Sequence, residues 1–371
     1  MKKSLILFSY DYPPSNGGIA RLCHEIAVRA KHYYEKVTVI TRSKNIDNIT
    51  YNYNEVEIIE LPSKRIKCEL AAINYLRKIE CKEKVDILCG IWHPEGLLSM
   101  LSGFTNVYIL GHGTEFLYGK SKFRKNFWLP VYAKRILNKA SKVITNSSYT
   151  KGLVQEITKK ADAVSLSLAV NHEFFKPVKI KKENNDKICL CSVSRVQKFK
   201  GHDFILKTIA ALPETYQSKI QYNIAGTGSY LPELKQLTQQ LKLDGIVSFK
   251  GFIPDNDLPS FYNENDLFVL CTRESFDSTA VEGFGLAFLE AQSCGIPVIG
   301  TRTGGIPDAI HEGNGGWLIE QDNEEELSAL LMKLIDNFTL IKDMGTKARK
   351  RVENTATWEF YCEKLFKYIF V

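Results

Sequence analysis

No apolar run in the 371 residues approaches the roughly 20 needed to cross a bilayer. A membrane-spanning helix is therefore not expected. The N-terminal apolar stretch LILF is broken by Asp11, Pro13 and Pro14, before it reaches the ~7–15 residues of a signal core. It reads instead as a buried first strand, and the expected location is cytoplasmic. The chain lacks a CxxC pair, and its nine cysteines are an odd number. Without a secretion signal these are expected as buried, reduced thiols. The sequons at Asn48, Asn146 and Asn337 then carry no meaning. Internal repeats of 20–50 residues and low-complexity tracts are also missing, which argues against solenoids and disordered arrays. What remains is a soluble globular composition, 44% hydrophobic and 25% charged, of a length suited to two domains.

Acidic residues are unevenly missing. None occurs from Phe116 to Gln155. Residues 1–176 hold 27 Lys and Arg against 16 Asp and Glu, while the remainder holds 22 against 26. The net charge of +7 thus hides a basic first half, which suggests an anionic surface as partner. Eight basic residues lie within 119–142, interleaved with Phe123, Phe127, Trp128 and Tyr132. No nucleic-acid-binding motif accompanies them, so no nucleic acid is expected. A helix resting on an anionic membrane fits the pattern better, with the protein peripheral at the inner face. A solvated helix whose aromatics are core is the plain alternative.

Strand-like apolar runs alternate with helix-period segments. In the first half the strands are expected near 4–9, 37–41, 56–60, 86–90, 107–110 and 142–145, with helices near 19–33, 70–83, 126–139 and 148–157. A polar stretch at 171–187 reads as a linker. A second series follows, with strands near 188–193, 220–225, 246–249, 266–270, 297–300 and 316–319. Its helices are expected near 202–211, 230–242, 285–294, 324–336 and 338–352, and an aromatic amphipathic helix ends the chain. This predicts an α/β chain of two doubly wound, Rossmann-like domains facing across a cleft, residues 1–172 and 173–355. In such sheets ligands bind at the carboxyl ends of the strands, so the loops after the strands are where chemistry is sought.

Gly17 and Gly18 precede the first helix, where a bare backbone can approach a phosphate; an ordinary turn would look the same. His112 stands between two glycines at a strand's end. Arg195 and Lys200 lie five apart in a loop that leads into a helix, a forked and a point cation suited to a diphosphate. The stretch NIAGTGSYL, containing Gly226, lacks the third glycine of a dinucleotide fingerprint and is weak as a nicotinamide site. Gly226 and Phe252 are expected near a nucleotide. Asp255-Asn256-Asp257 has the DxD spacing of some metal sites, but it reads better as the cap of a short helix. No metal and no cofactor are expected.

The segment EGFGLAFLE separates Glu282 and Glu290 by seven residues. Its helix pattern starts after Glu282 and puts Glu290 on the second turn. The two carboxylates could be an acid/base pair across a sugar ring. They fit better as two hydroxyl-binding groups on either side of an anion held by the N–H groups near Gly285, Leu286 and Ala287.

Together SNGGIARLCHEIA, LGHGTE, SRVQKFKGHD and EGFGLAFLEAQSCGIPVIG resemble, in order, the motifs of the retaining GT-B glycosyltransferases of family 4. The resemblance implies that a nucleotide-diphosphate sugar, UDP-sugar before GDP-mannose, donates a hexose to a glycan or lipid-linked acceptor in bacterial surface polysaccharide biosynthesis. It implies that Gly17 and Gly18 face the diphosphate and acceptor, and that His112 touches the donor sugar. Arg195 and Lys200 would hold the leaving group, Glu282 the sugar hydroxyls and Glu290 the ribose, with Leu286 and Ala287 on phosphate oxygens. The C-terminal helix, 356–371, would pack back on the first domain. Two features depart from the pattern: Leu168-Ala169-Val170-Asn171 at the hinge, and the long stretch with Ser275, Asp277, Ser278 and Thr279 before Glu282. A nucleotide-sugar epimerase or glycoside phosphorylase on the same fold, and a non-catalytic sugar-nucleotide-binding protein, are the alternatives.

Overall fold

The computed structural model describes residues 4–15, 17–43, 50–53, 56–179, 187–274 and 280–370. Asn48, the 180–186 part of the expected linker, and Ser275, Asp277, Ser278 and Thr279 lie outside the described residues. The chain divides into two compact units, Met1–Ser167 with Trp358–Val371, and Leu168–Thr357.

The first unit is built on an eight-stranded sheet. Its strands are β1 (Ser4–Phe8), β2 (Lys36–Arg42), β3 (Thr50–Tyr53), β4 (Val56–Leu61), β5 (Val85–Cys89), β6 (Val107–Gly111), β7 (Lys142–Thr145) and β8 (Ala163–Ser165). Their order is β3-β4-β2-β1-β5-β6-β7-β8. All neighbours are parallel except β3 and β4, which are antiparallel. The central strands read as unbroken apolar runs because both faces are covered; every residue of Val85–Cys89 and Val107–Gly111 is buried.

The helix Trp358–Phe370 belongs to this unit and packs on the helix Gly18–Ala30. The Phe366 ring lies 4.4 Å from Tyr33 and 5.7 Å from Tyr34. The Tyr108 hydroxyl donates to the Ile369 carbonyl at 2.9 Å, and the Arg29 guanidinium pairs with Glu359 at 2.7 Å. Burial of aromatic area, more than the exposed ion pair, fixes the helix.

The second unit carries a six-stranded, wholly parallel sheet. Its strands are β9 (Ile188–Val193), β10 (Ile220–Ala225), β11 (Val247–Gly251), β12 (Leu267–Leu270), β13 (Val298–Thr301) and β14 (Gly316–Ile319), in the order β11-β10-β9-β12-β13-β14. Flanking helices start on polar caps where the sequence provides them. Asn323 Oδ1 accepts from Glu326 N at 3.1 Å, and three glutamates fill the first turn of Glu324–Asp336. The polar stretch after Ser167 is not free chain at its start. Phe175 is buried, and the Arg349 guanidinium donates to the His172, Phe175 and Ser293 carbonyls at 2.8–2.9 Å.

A buried histidine ties β9 to β10. His202 is fully buried; its Nε2 lies 2.9 Å from Ser194 Oγ and its Nδ1 3.2 Å from the Tyr222 hydroxyl. Burial first, and then the Lys200 charge, push its pKa down to about 4. None of the nine cysteines is in a disulfide; seven are buried, Cys81 is exposed and Cys189 half-buried. No helix among the described residues is long and apolar enough to cross a membrane.

Two outcomes test this packing. Phe366→Ala should cost the first unit ~3–5 kcal/mol in denaturant unfolding, whereas Phe370→Ala, half-exposed, should cost under ~1; equal losses would contradict the assigned anchor. Between pH ~6.5 and ~4 the unfolded chain binds a proton that folded His202 refuses. Its contribution is therefore whole above pH ~6.5 and is lost as pH falls, at ~1.4 kcal/mol per pH unit. The wild-type stability should then fall more steeply than that of His202→Gln across this window, and parallel curves would contradict it.

Candidate functional site

In the second unit the loops in which the sequence reading expects the site gather at the carboxyl ends of β9, β10, β12 and β13. The β9 loop carries Arg195 and Lys200. Its middle is pinned by Val196, which is buried; Val196 N donates to Thr227 O at 2.9 Å and Tyr230 N donates to Val196 O at 3.1 Å. Two glycines let this loop sit so tightly. A Cβ on Gly201, at φ 74°, would stand 1.7 Å from the Cys271 carbonyl oxygen. One on Gly226, at φ 125°, would stand 1.8 Å from that of Ser194. The second contact gives NIAGTGSYL a packing reason for its first glycine.

The loop after β12 braces the same segment. Arg273 N donates to the Phe199 carbonyl at 2.7 Å. The Arg273 side chain donates to Asp203 Oδ1 at 2.7 Å and to Asp322 Oδ1 at 2.6 Å. Both acids hold its guanidinium charged, with a raised pKa despite its burial. The sequence reading missed Arg273, because its partners lie 49 and 70 residues away.

The pieces that sequence set apart meet at one ion pair. Lys200 Nζ donates to Glu282 Oε2 at 2.5 Å, with both side chains mostly buried. Lys200 also lies over the Phe199 ring at 4.9 Å. Arg195 is exposed. Glu282 is fixed through its own backbone, whose carbonyl accepts from Gly305 N at 2.8 Å. The helix Leu286–Ser293 begins at Gly285, with no side-chain cap. Its first N–H groups, Leu286 and Ala287, are half-exposed and have no partner within the helix. They present partial positive charge one short loop away from Glu282. Glu290 is the fifth residue of this helix, buried, and its Oε2 accepts from the Tyr262 hydroxyl at 2.9 Å. Phe252, directly after β11, is 72% exposed. Asp257 occupies the N-cap position of Leu258–Asn263 but makes no capping side-chain bond. No group of three or more potential metal ligands occurs among the described residues.

In the first unit the loops after β1, β5 and β6 gather in the same way. Gly17 is the N-cap of Gly18–Ala30, a helix without an acidic residue in its first turn. His112 follows β6. Its N–H donates to Glu115 Oε1 at 2.6 Å, and its carbonyl accepts from Asn146 Nδ2 at 3.1 Å. Its ring Nε2 lies 2.7 Å from the Gly90 carbonyl, which can only accept, so Nε2 carries the proton. In the neutral ring Nδ1 is then the basic atom.

Glu95, another residue the sequence reading missed, lies under the β1 loop. Its Oε1 accepts from Tyr10 N at 3.0 Å, while its Oε2 is buried without a hydrogen-bond partner. Burial pushes its pKa up to about 7, against two lowering backbone hydrogen bonds. A buried carboxyl and a positioned imidazole thus occupy loops joined by Gly90, whose N–H donates to the Phe8 carbonyl at 2.8 Å.

Known proteins match this chain at two levels. Sequence relatives include a GDP-mannose-dependent monoacylated alpha-(1-6)-phosphatidylinositol monomannoside mannosyltransferase of Corynebacterium glutamicum, 32% identical over 46% of this chain and 44% of that one. The chain thus spans less than half the length of this relative. It spans 95% of a GDP-mannose-dependent alpha-(1-6)-phosphatidylinositol monomannoside mannosyltransferase of Mycolicibacterium smegmatis, at 23% identity. Among solved structures, Anabaena HepE in complex with UDP and glucose superposes with a TM-score of 0.74 over 99% of each chain, at 16% identity. That likeness establishes the shared fold, the two α/β domains of the GT-B class. The family model for glycosyl transferases group 1 matches residues 174–351. The matched segment carries both the Arg195–Lys200 loop and the E-x7-E segment, so the likeness to glycosyl transferases group 1 rests on this second unit.

Proposed function

We propose that the chain is a retaining glycosyltransferase that moves a hexose from a nucleotide-diphosphate sugar to a glycan or lipid-linked acceptor, in the assembly of a bacterial surface polysaccharide or glycolipid. The observation that carries this reading is the Lys200–Glu282 pair, which joins the Arg-x4-Lys loop to the start of the E-x7-E segment. UDP- and GDP-sugars are the donors considered, UDP first. The relatives' names favour GDP-mannose, and HepE was solved with UDP and glucose.

Departure of a nucleoside diphosphate leaves negative charge on the phosphate and positive charge on the sugar ring. Arg195, Lys200 and the N–H groups of Leu286 and Ala287 answer the first charge, and in this reading the reaction calls for no metal ion. Glu282, beside Lys200, is suited to sugar hydroxyls and to the ring's developing positive charge. Glu290 is assigned to the ribose, with the Tyr262 hydroxyl orienting its carboxylate. Gly226 and Phe252 are assigned to the nucleotide. In the first unit Gly17, Gly18 and His112 are assigned to donor and acceptor. Retention follows if the acceptor hydroxyl attacks from the face the phosphate leaves, its proton passing to a departing phosphate oxygen.

The acceptor side is read from the first unit's surface. Phe123 and Phe127 are 60% and 50% exposed, and their rings lie 5.6 Å apart. Lys120, Lys122, Lys125, Lys134, Arg135 and Lys139 are exposed along the same segment. Trp128 and Tyr132 instead pack against the core, and Arg124 turns inward to donate to the Glu115 carbonyl at 2.9 Å. This face supports peripheral contact with an anionic bilayer, each basic residue near such a surface adding ~1 kcal/mol.

Arg195→Ala and Lys200→Ala should each lower kcat for sugar transfer by roughly 10²–10³-fold, far beyond their effect on folding. Wild-type-like transfer by both would sink the diphosphate assignment. The chain should float with anionic vesicles, lose this as salt rises, and bind less as the Phe123→Ser/Phe127→Ser double variant. Flotation that ignores salt and both substitutions would contradict the membrane reading.

A further inference from the structure

An open cavity of about 510 Å³ lies in the second unit, away from the loops described above. His311 and Asn314, in the turn before β14, form one wall; Lys347, Lys350, Arg351 and Asn354 of the helix Phe338–Thr355 form the other. Positions 347, 350, 351 and 354 recur at three- and four-residue steps, so they share one face of that helix. The sheet is wholly parallel, and the turn precedes β14. The cavity therefore sits at the strands' amino ends, the edge opposite to Arg195, Lys200 and Glu282.

The charge is one-sided. No lining residue is acidic. Lys347 and Lys350 are exposed, and neither is in an ion pair among the described residues. The nearby carboxylates are engaged elsewhere: Glu312 with Arg302 at 2.8 Å and Glu353 with Arg349 at 2.7 Å. Asp308 still acts on His311 by its charge, though burial and Arg351 keep the ring's pKa below the usual value.

Arg351 provides the independent sign. It is 7% exposed, and its Nη2 donates to two neutral acceptors, Gln292 Oε1 at 2.6 Å and the Ala309 carbonyl at 2.8 Å. Its Nε is buried without a hydrogen-bond partner. Among the described residues it has no carboxylate partner, and burial alone pulls its pKa down to about 10. A buried guanidinium without counter-charge is costly, and one with an unused N–H is costlier still. An anion in the cavity would supply the missing counter-charge. Arg suits phosphate through its fork, and two flexible lysines suit the outer oxygens. The volume is that of a small-molecule site.

We infer that this cavity is a second anion site, taking a small phosphate-bearing molecule, separate from the proposed donor site on the other edge of the same sheet. Arg351 holds Gln292, which lies behind it and whose Nε2 donates to the Phe288 carbonyl at 3.0 Å within the helix Leu286–Ser293. Arg351 thus links the cavity, through Gln292, to the helix that carries Glu290.

Inorganic pyrophosphate at ~0.15 M salt, titrated calorimetrically into the full chain, tests this. The Arg195→Ala/Lys200→Ala variant removes the proposed donor contribution and should keep one pyrophosphate site. Adding Lys347→Ala/Lys350→Ala, both exposed and harmless to folding, should weaken that site at least tenfold; Asn314→Asp should weaken it independently. No pyrophosphate binding by the Arg195→Ala/Lys200→Ala variant, or binding unmoved by the cavity substitutions, overturns the inference. The donor reading is judged separately: nucleotide-sugar binding should be lost with Arg195→Ala/Lys200→Ala and kept with Lys347→Ala/Lys350→Ala.

Discussion

The second unit depends on one contact, the ion pair between Lys200 and Glu282. An isolated lysine at a loop's end has too much rotamer freedom to mark a position. Here a partly buried carboxylate and the Phe199 ring hold it. The pair forms because the β9 loop is pressed against the β12 loop, and that requires the missing side chain at Gly201. Arg273 then locks the two loops with backbone and carboxylate bonds. The result is a rigid cationic rim facing the amino end of Leu286–Ser293, assembled from residues some 80 positions apart in the chain.

A parallel sheet makes such assembly natural. Every strand of the second unit runs the same way, so every post-strand loop arrives at one edge. Charge-bearing side chains on different loops need only short reaches to meet. The opposite edge receives the turns that enter the strands, and there the buried Arg351 sits among neutral partners. The two edges thus present cations for different physical reasons: one set is exposed or paired with a carboxylate, whereas the other adds to exposed Lys347 and Lys350 a buried Arg351 that has no counter-charge among the described residues.

Much of this was legible in the sequence. The central strands were, because doubly covered parallel strands are uninterrupted apolar runs, as in VDILC and LFVL. The helices 148–157, 202–211 and 324–336 were, because their apolar period ran cleanly between polar or glycine ends. The E-x7-E layout was also readable: Gly285 ends the loop, and Glu290 falls on the second turn. The edge strands β3 and β8 were not, since TYNY and AVS carry no apolar run. The helix Arg65–Arg77 starts earlier than the expected 70, because its first turn, RIKCE, is mostly polar and exposed. Glu95, His202, Arg273 and Arg351 escaped for a common reason. Each is a polar residue whose importance lies in burial and in distant partners, and neither leaves a local pattern. Gly226 was read from a ligand motif, while the structure gives it a backbone contact to serve.

The central claim is that the loop edge around Lys200 and Glu282 binds a nucleotide-diphosphate sugar. The most direct measurement is the thermal stability of the chain against a panel of UDP-, GDP- and ADP-sugars. At ~100 times its dissociation constant the true donor should stabilise the fold by ~2.7 kcal/mol, and the effect should vanish in Arg195→Ala/Lys200→Ala. No stabilisation by any member of the panel, or stabilisation that survives the double substitution, would contradict the account.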